Sequence, residues 1–548
     1  MLAGQLQSRS RPADDERLVL VGFAAALLFA WFCYQPALSG AFQFDDYFNL
    51  RGLAAIDDAA AAFEFIFSGS AGPTGRPLAL ASFALQAQNF EDGASPFLLV
   101  NILIHLCNGL LLASFLFQLA RQQSIARNDA SIIAAIAASL WLFMPLLATA
   151  SLFVVQRMTT LSALFMLLGL NGYLFARAKL HVNARLALTS MSAVLVLFTA
   201  LATLCKESGI LLPVLVLVLE ATVLPLADKL PARDWRVWQS IFLGFPLLVL
   251  LVYLATWLDW SDGVMARRGF TVWERLMTEA RVLWLYLAKA VTGVPSRIGI
   301  YQEPPAMSRT LLHAPTLLAV IAWCALLAAS IRWRRRYPLI ALGVLWFLAG
   351  HLIESTVIPL DIYFEHRNYV PMIGPVFAIT SIAYLHTGRY RRLAMVLLAG
   401  VWFVNSWSLY GFASLSGQPS MAARYWAALY PNSQRAVSRM ANFQLLEEGP
   451  LNAVATIDAF ADANPEHAYM RIVQLNLLCK AAPAADHSEL VATLSNELPN
   501  AAFSFTSAVM LFELYATVAS SQCNGVGIDT VTSLASILRD NPAYQDEP

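Results

Sequence analysis

A chain of 548 residues that is 58% hydrophobic and 13% charged, with a mean hydropathy of +0.58, reads as an integral membrane protein and not as a soluble enzyme. With a formal net charge of +0, nothing in the charge balance suggests a nucleic-acid partner. The six cysteines show neither CxxC pairing nor metal-ligand spacing.

The first apolar run, residues 18–38, carries no charge and is long enough to cross a bilayer. Arg9, Arg11 and Arg17 precede it, so the positive-inside bias keeps the N-terminus in the cytoplasm. The run is longer than the apolar part of a secretory signal and lacks a clear small-residue cleavage site, which marks a retained anchor. Asp45 and Asp46 follow in Phe42-Gln43-Phe44-Asp45-Asp46-Tyr47, at the outer mouth of that helix. A carboxylate pair there suits deprotonation of a substrate hydroxyl; the plainer alternative is a solvated loop start or helix cap.

A mixed-polarity outer loop over 41–95 leads to further apolar runs at about 97–119, 130–149, 159–176, 187–204, 209–226, 238–257, 312–330, 338–353, 369–386 and 393–413. The intervening turns alternate. Basic ones carry Arg121 and Arg127; Arg177, Lys179 and Arg185; Lys229, Arg233 and Arg236; the cluster from Arg332 to Arg336; and Arg389, Arg391 and Arg392. The alternation predicts an all-α polytopic domain over 1–413 with about eleven transmembrane helices. Within the outer loop 259–311, residues 273–291 are apolar but interrupted by Glu274, Arg275, Glu279, Arg281 and Lys289, which predicts an amphipathic or re-entrant helix and not a span. From 414 to 548 the chain is polar and helical, broken at Gly449-Pro450, Pro465, Pro483 and Pro499. Helices over 422–429, 433–448 and 451–463 suggest degenerate tetratricopeptide (TPR-like) units or a small helical bundle. An odd span count places this domain outside, where Cys479 and Cys523 can form a disulfide.

Four polar clusters share the outer face with Asp45: Arg76 beside Pro77; Gln156-Arg157; the tight turn Cys205-Lys206-Glu207-Ser208-Gly209; and Pro295-Ser296-Arg297 with Glu354 and Glu365-His366-Arg367-Asn368. Each has a structural alternative: Lys206 and Glu207 as snorkelling residues, Arg297 as an anchor to lipid headgroups, His366 as a core hydrogen-bond partner. Gathered on one face, carboxylates and cations suit transfer of a sugar from a lipid-linked phosphate. A carboxylate takes the acceptor's proton, while Arg, Lys, His or a metal ion stabilises the charge growing on the leaving phosphate.

Phe42-x-Phe44-Asp45-Asp46, Arg76-Pro77-Leu78 with Ser82-Phe83, and Val100-Asn101-x-x-x-His105 resemble the start of bacterial membrane glycosyltransferases of the GT-C class. The chain is similar in layout to transmembrane O-mannosyltransferases with tetratricopeptide repeats. Further resemblances are Lys206-Glu207-x-Gly209, the stretch from Glu274 to Leu283 with Pro295-Ser296-Arg297, and His351-Leu352-x-Glu354 with Tyr363-Phe364-Glu365-His366-Arg367-Asn368-Tyr369-x-Pro371. The resemblance covers most of residues 40–375. It implies an inverting transfer of a sugar, a pentose such as arabinofuranose or a hexose, from a polyprenyl-phosphate donor. The acceptor is a protein Ser/Thr hydroxyl, pilin included, or a glycan on the periplasmic side of a bacterial inner membrane. It implies Asp45 or Asp46 as base, and Lys206, Arg297, His366 and Arg367 as phosphate contacts. Glu207, Glu354 and Glu365 orient those cations or bind sugar hydroxyls, with Arg76 and Arg157 in secondary roles. No cofactor is certain, and a divalent cation (Mg or Mn) on Asp45 and Asp46 stays open. The rival classes are a transporter or flippase of lipid-linked sugars, which predicts ionisable residues at mid-membrane and inverted repeats, and a non-catalytic assembly scaffold.

Overall fold

The computed structural model describes residues 12–43, 45–70, 72–225, 231–267, 269–293, 299, 301 and 305–544. Among them there is helix and no strand. The chain begins with α1 (Pro12–Tyr34), the loop helices α2 (Asp45–Leu50), α3 (Ala59–Phe67) and α4 (Pro77–Ala84), then α5 (Ser95–Gln122), α6 (Arg127–Leu142), α7 (Ala148–Leu152), α8 (Arg157–Arg177) and α9 (Ala184–Cys205). It continues through α10 (Leu212–Thr222), α11 (Ala232–Gln239), α12 (Phe245–Arg267), α13 (Val272–Thr292), α14 (Ala314–Trp333), α15 (Pro338–Gly350), α16 (Ile373–Leu385) and α17 (Arg391–Ser416).

This is an all-α, multi-pass membrane protein by the length and composition of its helices. Seven helices are long and apolar enough to cross a membrane, and α6 with α7 makes an eighth if that pair, bent by 59°, is one span. Every predicted apolar run is helical, yet three of the expected eleven form short helices. These are α10 with 11 residues and α15 and α16 with 13 each. At 1.5 Å per residue they rise about 17–20 Å, against about 30 Å of hydrocarbon. The chain leaves helical geometry next to them because polar residues must be placed there: α15 and α16 flank the irregular segment 351–372. They pack tightly, a Cβ on Gly374 falling 2.5 Å from the Trp346 side chain, so only glycine lets the two approach. The span containing α8 lies innermost, with 61% of its apolar window buried against 22% for that of α1.

The 273–291 segment is one continuous helix, α13, and its polarity is inside out. An interfacial helix turns its charges to water. Here Arg275, Thr278, Glu279, Val282, Tyr286 and Lys289 recur every three or four residues along a buried stripe, whereas Val291 is exposed.

Contacts divide the chain into two units, 1–258 with 274–300 and 306–417, and 259–273 with 301–305 and 418–548. The second unit therefore begins at 418, beside the expected 414, and includes two stretches of the 259–311 loop. Its helices are α18 (Pro419–Leu429), α19 (Gln434–Glu447), α20 (Pro450–Ala463), α21 (Ala468–Ala481), α22 (Ser488–Glu497), α23 (Phe505–Ser520) and α24 (Ile528–Asp540). Gly449, at φ 94°, makes the break before α20, a conformation that disfavours any side chain. The expected disulfide is present: Cys479 and Cys523 join at an S–S distance of 2.08 Å. Arg471, buried on α21, bridges Asp458 at 2.8 Å and also reaches Asp462 on α20.

Candidate functional site

The site grows from the two interruptions of the helical bundle. α9 stops at Cys205, Lys206 takes an extended conformation (φ −160°, ψ 142°), and a tight 3-10 turn follows. Gly209 lets that turn fold back on α9, since a Cβ would lie 2.3 Å from the Ala202 carbonyl carbon. Lys206 is thereby turned inward. In the second interruption Glu365–Asn368 forms another 3-10 turn with all four residues buried. Lys206, Glu354, His366, Arg367, Thr159 and Ser162 line a narrow cavity of about 20 Å³, room for roughly one water.

Lys206 Nζ lies 2.7 Å from Glu354 Oε1 and donates to Thr159 Oγ1 at 3.0 Å. Burial alone would raise the Glu354 carboxyl, but the charges of Lys206 and Arg367 overcome it and hold it down to about 2. His366 stacks on Phe364, with ring centroids 5.2 Å apart, and its ring nitrogens have no hydrogen-bond partner among the described residues. Burial, reinforced by Lys206, holds its imidazole well below the usual range, so the ring is neutral. Arg367 is held loosely: Nη1 donates to the Ile362 carbonyl at 3.3 Å and lies 3.8 Å from Glu279 Oε1.

The charged stripe of α13 supports this wall. Arg275 is fully buried and donates to the carbonyls of Glu354 at 2.9 Å and Thr356 at 2.7 Å, and also to that of Leu360. Its Nη2 stands 3.1 Å from Glu279 Oε1. About four helix turns beyond Arg275, Lys289 donates to Tyr363 Oη at 2.6 Å and lies 3.5 Å from Glu365 Oε1. The sequence shows these charges only as interruptions of an apolar helix. The missed signal is their spacing, which puts Arg275, Glu279, Tyr286 and Lys289 on one face.

The remaining candidates separate. Arg76, at φ 56°, grips Glu207 bidentately, with Nε 3.1 Å and Nη2 2.9 Å from Oε2, and Thr74 Oγ1 donates to the same carboxylate at 3.1 Å. Glu207 so fastens the 72–76 loop next to Lys206. Asp45 and Asp46 part company. Asp45 is exposed in the first turn of α2, whereas Asp46 is completely buried and accepts from the Gln43 amide at 2.8 Å and the Val155 amide at 2.7 Å. Burial pushes the Asp46 carboxyl up to about 7 despite those amides. With both Asp46 oxygens engaged by backbone, and no group of three or more His, Cys, Asp or Glu side chains gathered among the described residues, the pair does not fit a divalent ion.

Arg157 is likewise enclosed. Nε donates to Asn101 Oδ1 at 2.7 Å, Nη1 to the Ser82 carbonyl at 3.1 Å and Nη2 to the Phe97 carbonyl at 3.0 Å, with the Phe83 ring 4.4 Å away. Glu365 takes Tyr363 Oη at 3.0 Å and the Gly299 amide at 3.0 Å, on the α13 side and outside the cavity lining. His105, in the sequence motif Val100–His105, is a packing hub: Nδ1 lies 2.7 Å from Tyr369 Oη and Nε2 3.2 Å from Tyr34 Oη. Arg297 and its neighbours Pro295 and Ser296 lie outside the described residues.

Against known proteins the chain matches no family, no curated protein and no solved structure.

Proposed function

We propose that this chain is a membrane glycosyltransferase of the GT-C type. It would move a sugar from a polyprenyl-phosphate donor to a protein or glycan hydroxyl on the extracytoplasmic side, with its N-terminus in the cytoplasm by the positive-inside rule. The observation that carries the proposal is a charge imbalance. Of the described charged residues that line the cavity, Lys206 and Arg367 are cations and Glu354 is the carboxylate, and Arg367 closes no hydrogen bond to a carboxylate among the described residues. A buried guanidinium left short of hydrogen bonds is unfavourable. An anion is the natural complement, and Arg with Lys is the pairing that binds phosphate.

In this proposal Asp45 is the base, since Asp46 spends both oxygens on backbone amides. The acceptor O–H proton passes to the Asp45 carboxylate as the oxygen attacks the anomeric carbon. The bond from that carbon to the phosphate oxygen breaks on the opposite face, its electron pair leaves with the polyprenyl phosphate, and the configuration inverts. The phosphodiester has then become a monoester with one more negative charge. Lys206 and Arg367 stabilise that charge, and neutral His366 donates a hydrogen bond to it. Labelled polyprenyl-phosphate sugar and purified protein in liposomes test this. Transfer should require Asp45, Lys206 and Arg367; full transfer by Asp45→Asn, or sugar-lipid translocation without transfer, would overturn it. The flippase alternative gains nothing from Glu220, which is closed by Arg177 and Tyr173.

A further inference from the structure

The cavity of about 20 Å³ admits a water and not a phosphate, so a side chain must yield when an anion enters. The geometry points to Arg367, and we propose that an arriving phosphate draws its guanidinium away from Glu279, with Arg275 staying behind to neutralise the carboxylate. This rests on the phosphate-binding role proposed above.

The contacts around the cavity differ in strength. Lys206 is held at 2.7 Å by Glu354 and at 3.0 Å by Thr159, a tight pair. Arg367 stands 3.8 Å from Glu279, beyond hydrogen-bond reach, and among the described residues otherwise donates one long bond, to Ile362 at 3.3 Å. Glu279 is 1% exposed, and neither of its oxygens closes a hydrogen bond of good geometry among the described residues, with the Ser355 hydroxyl and both guanidiniums its near neighbours. Native structures rarely leave a buried carboxylate so. Here it is a counter-charge shared between two guanidiniums and bonded to neither. Arg275 cannot be the one that moves, because its nitrogens hold the carbonyls of Glu354, Thr356 and Leu360. After Arg367 leaves, Arg275 still stands 3.1 Å from Glu279, so no isolated negative charge is created. Glu279 therefore competes with the anion for Arg367 and sets how readily the site opens.

The test is binding of farnesyl phosphate, and separately of inorganic phosphate, to the full-length protein in detergent by calorimetry. Glu279→Gln removes the competitor, and farnesyl phosphate should bind about five- to tenfold more tightly, the scale of one partly screened ion pair. A merely structural role predicts the opposite sign. Glu279→Asp draws the carboxylate back by one methylene and should tighten binding by a smaller factor, so the test survives if the glutamine variant fails to fold. Unchanged or weaker binding in a folded variant overturns the exchange while leaving the phosphate site standing. If wild-type protein binds neither probe, or binds them equally well after Arg367→Ala, the phosphate-binding proposal fails and the exchange with it. Tightening for inorganic phosphate as well as for farnesyl phosphate would locate the effect at the headgroup.

Discussion

Two buried polar regions meet along the first turns of α8, and they are built on opposite plans. On one side Asp46 and Arg157 are saturated: two amides fill the carboxylate, and a side-chain oxygen with two carbonyls fills the guanidinium. On the other side Lys206, Glu354, His366 and Arg367 face one another across a cavity, with two cations to one carboxylate in its lining and, among the described residues, no hydrogen bond on the His366 ring nitrogens. Buried charge alone does not mark a site, since Arg157 is a buried cation with no carboxylate among its described partners. What distinguishes the second region is that its side chains are incompletely satisfied by the protein itself.

The largest way to break this comparison is Arg157→Ala, which orphans three buried acceptors and empties a ring-lined space. It should destabilise the fold by about 3–5 kcal/mol and abolish accumulation of the protein, measured by detergent-solubilised yield and thermal unfolding. If that variant folds normally and loses only transfer, the saturated region is catalytic after all. Next come Lys206→Ala and Arg367→Ala. Arg367→Ala should leave the unfolding temperature within a few degrees, whereas Lys206→Ala should lower it further because it strands the buried Glu354 carboxylate. Both should lower transfer about 10²–10³-fold, the scale for removing one donor to a developing oxyanion.

A control in the other unit is Cys479→Ser with Cys523→Ser. Opening a loop of sequence separation 44 should cost about 2–4 kcal/mol in the unfolding of the second unit, with farnesyl phosphate binding unchanged. The smallest effect sharpens the aspartate split. Asp46→Asn keeps one acceptor of two and should cost about 1–3 kcal/mol, whereas Asp45→Asn should cost transfer and not stability. The pH dependence follows from the raised carboxyl. In the fold Asp46 keeps its proton up to about 7, while the unfolded chain loses it in the ordinary carboxylate range. Its stabilising contribution is complete below that range and is lost as pH rises through 7. The stability gap between wild type and Asp46→Asn should therefore shrink between pH 5 and 8, by thermal unfolding at each pH.

Some of this was legible in the chain. The turn Cys205–Gly209 announced itself through a glycine flanked by charges between two apolar runs, and Lys206 indeed lines the cavity. Glu354, His366 and Arg367 stood out as polar residues where an apolar run ended, and they gather with it. Asp45 and Asp46 looked equivalent. Neighbours on a helix point about 100° apart, so one carboxylate turned to backbone amides and the other outward, a choice no local pattern contains. Arg275 and Glu279 were visible only as defects in an apolar segment, because their partners lie 75 or more residues away on 354–367.

The sequence by itself determined that the protein is a helical, multi-pass membrane protein with a polar helical unit after it. Apolar run length and proline and glycine breaks are local quantities, and the bilayer's thickness converts run length directly into helices. Tertiary structure alone decided which runs stop short as α10, α15 and α16, which face of α13 turns inward, and which cations are saturated. Those outcomes depend on which backbone carbonyls and carboxylates reach each buried charge, and in a low-dielectric interior that proximity separates a scaffold residue from one still able to bind a ligand.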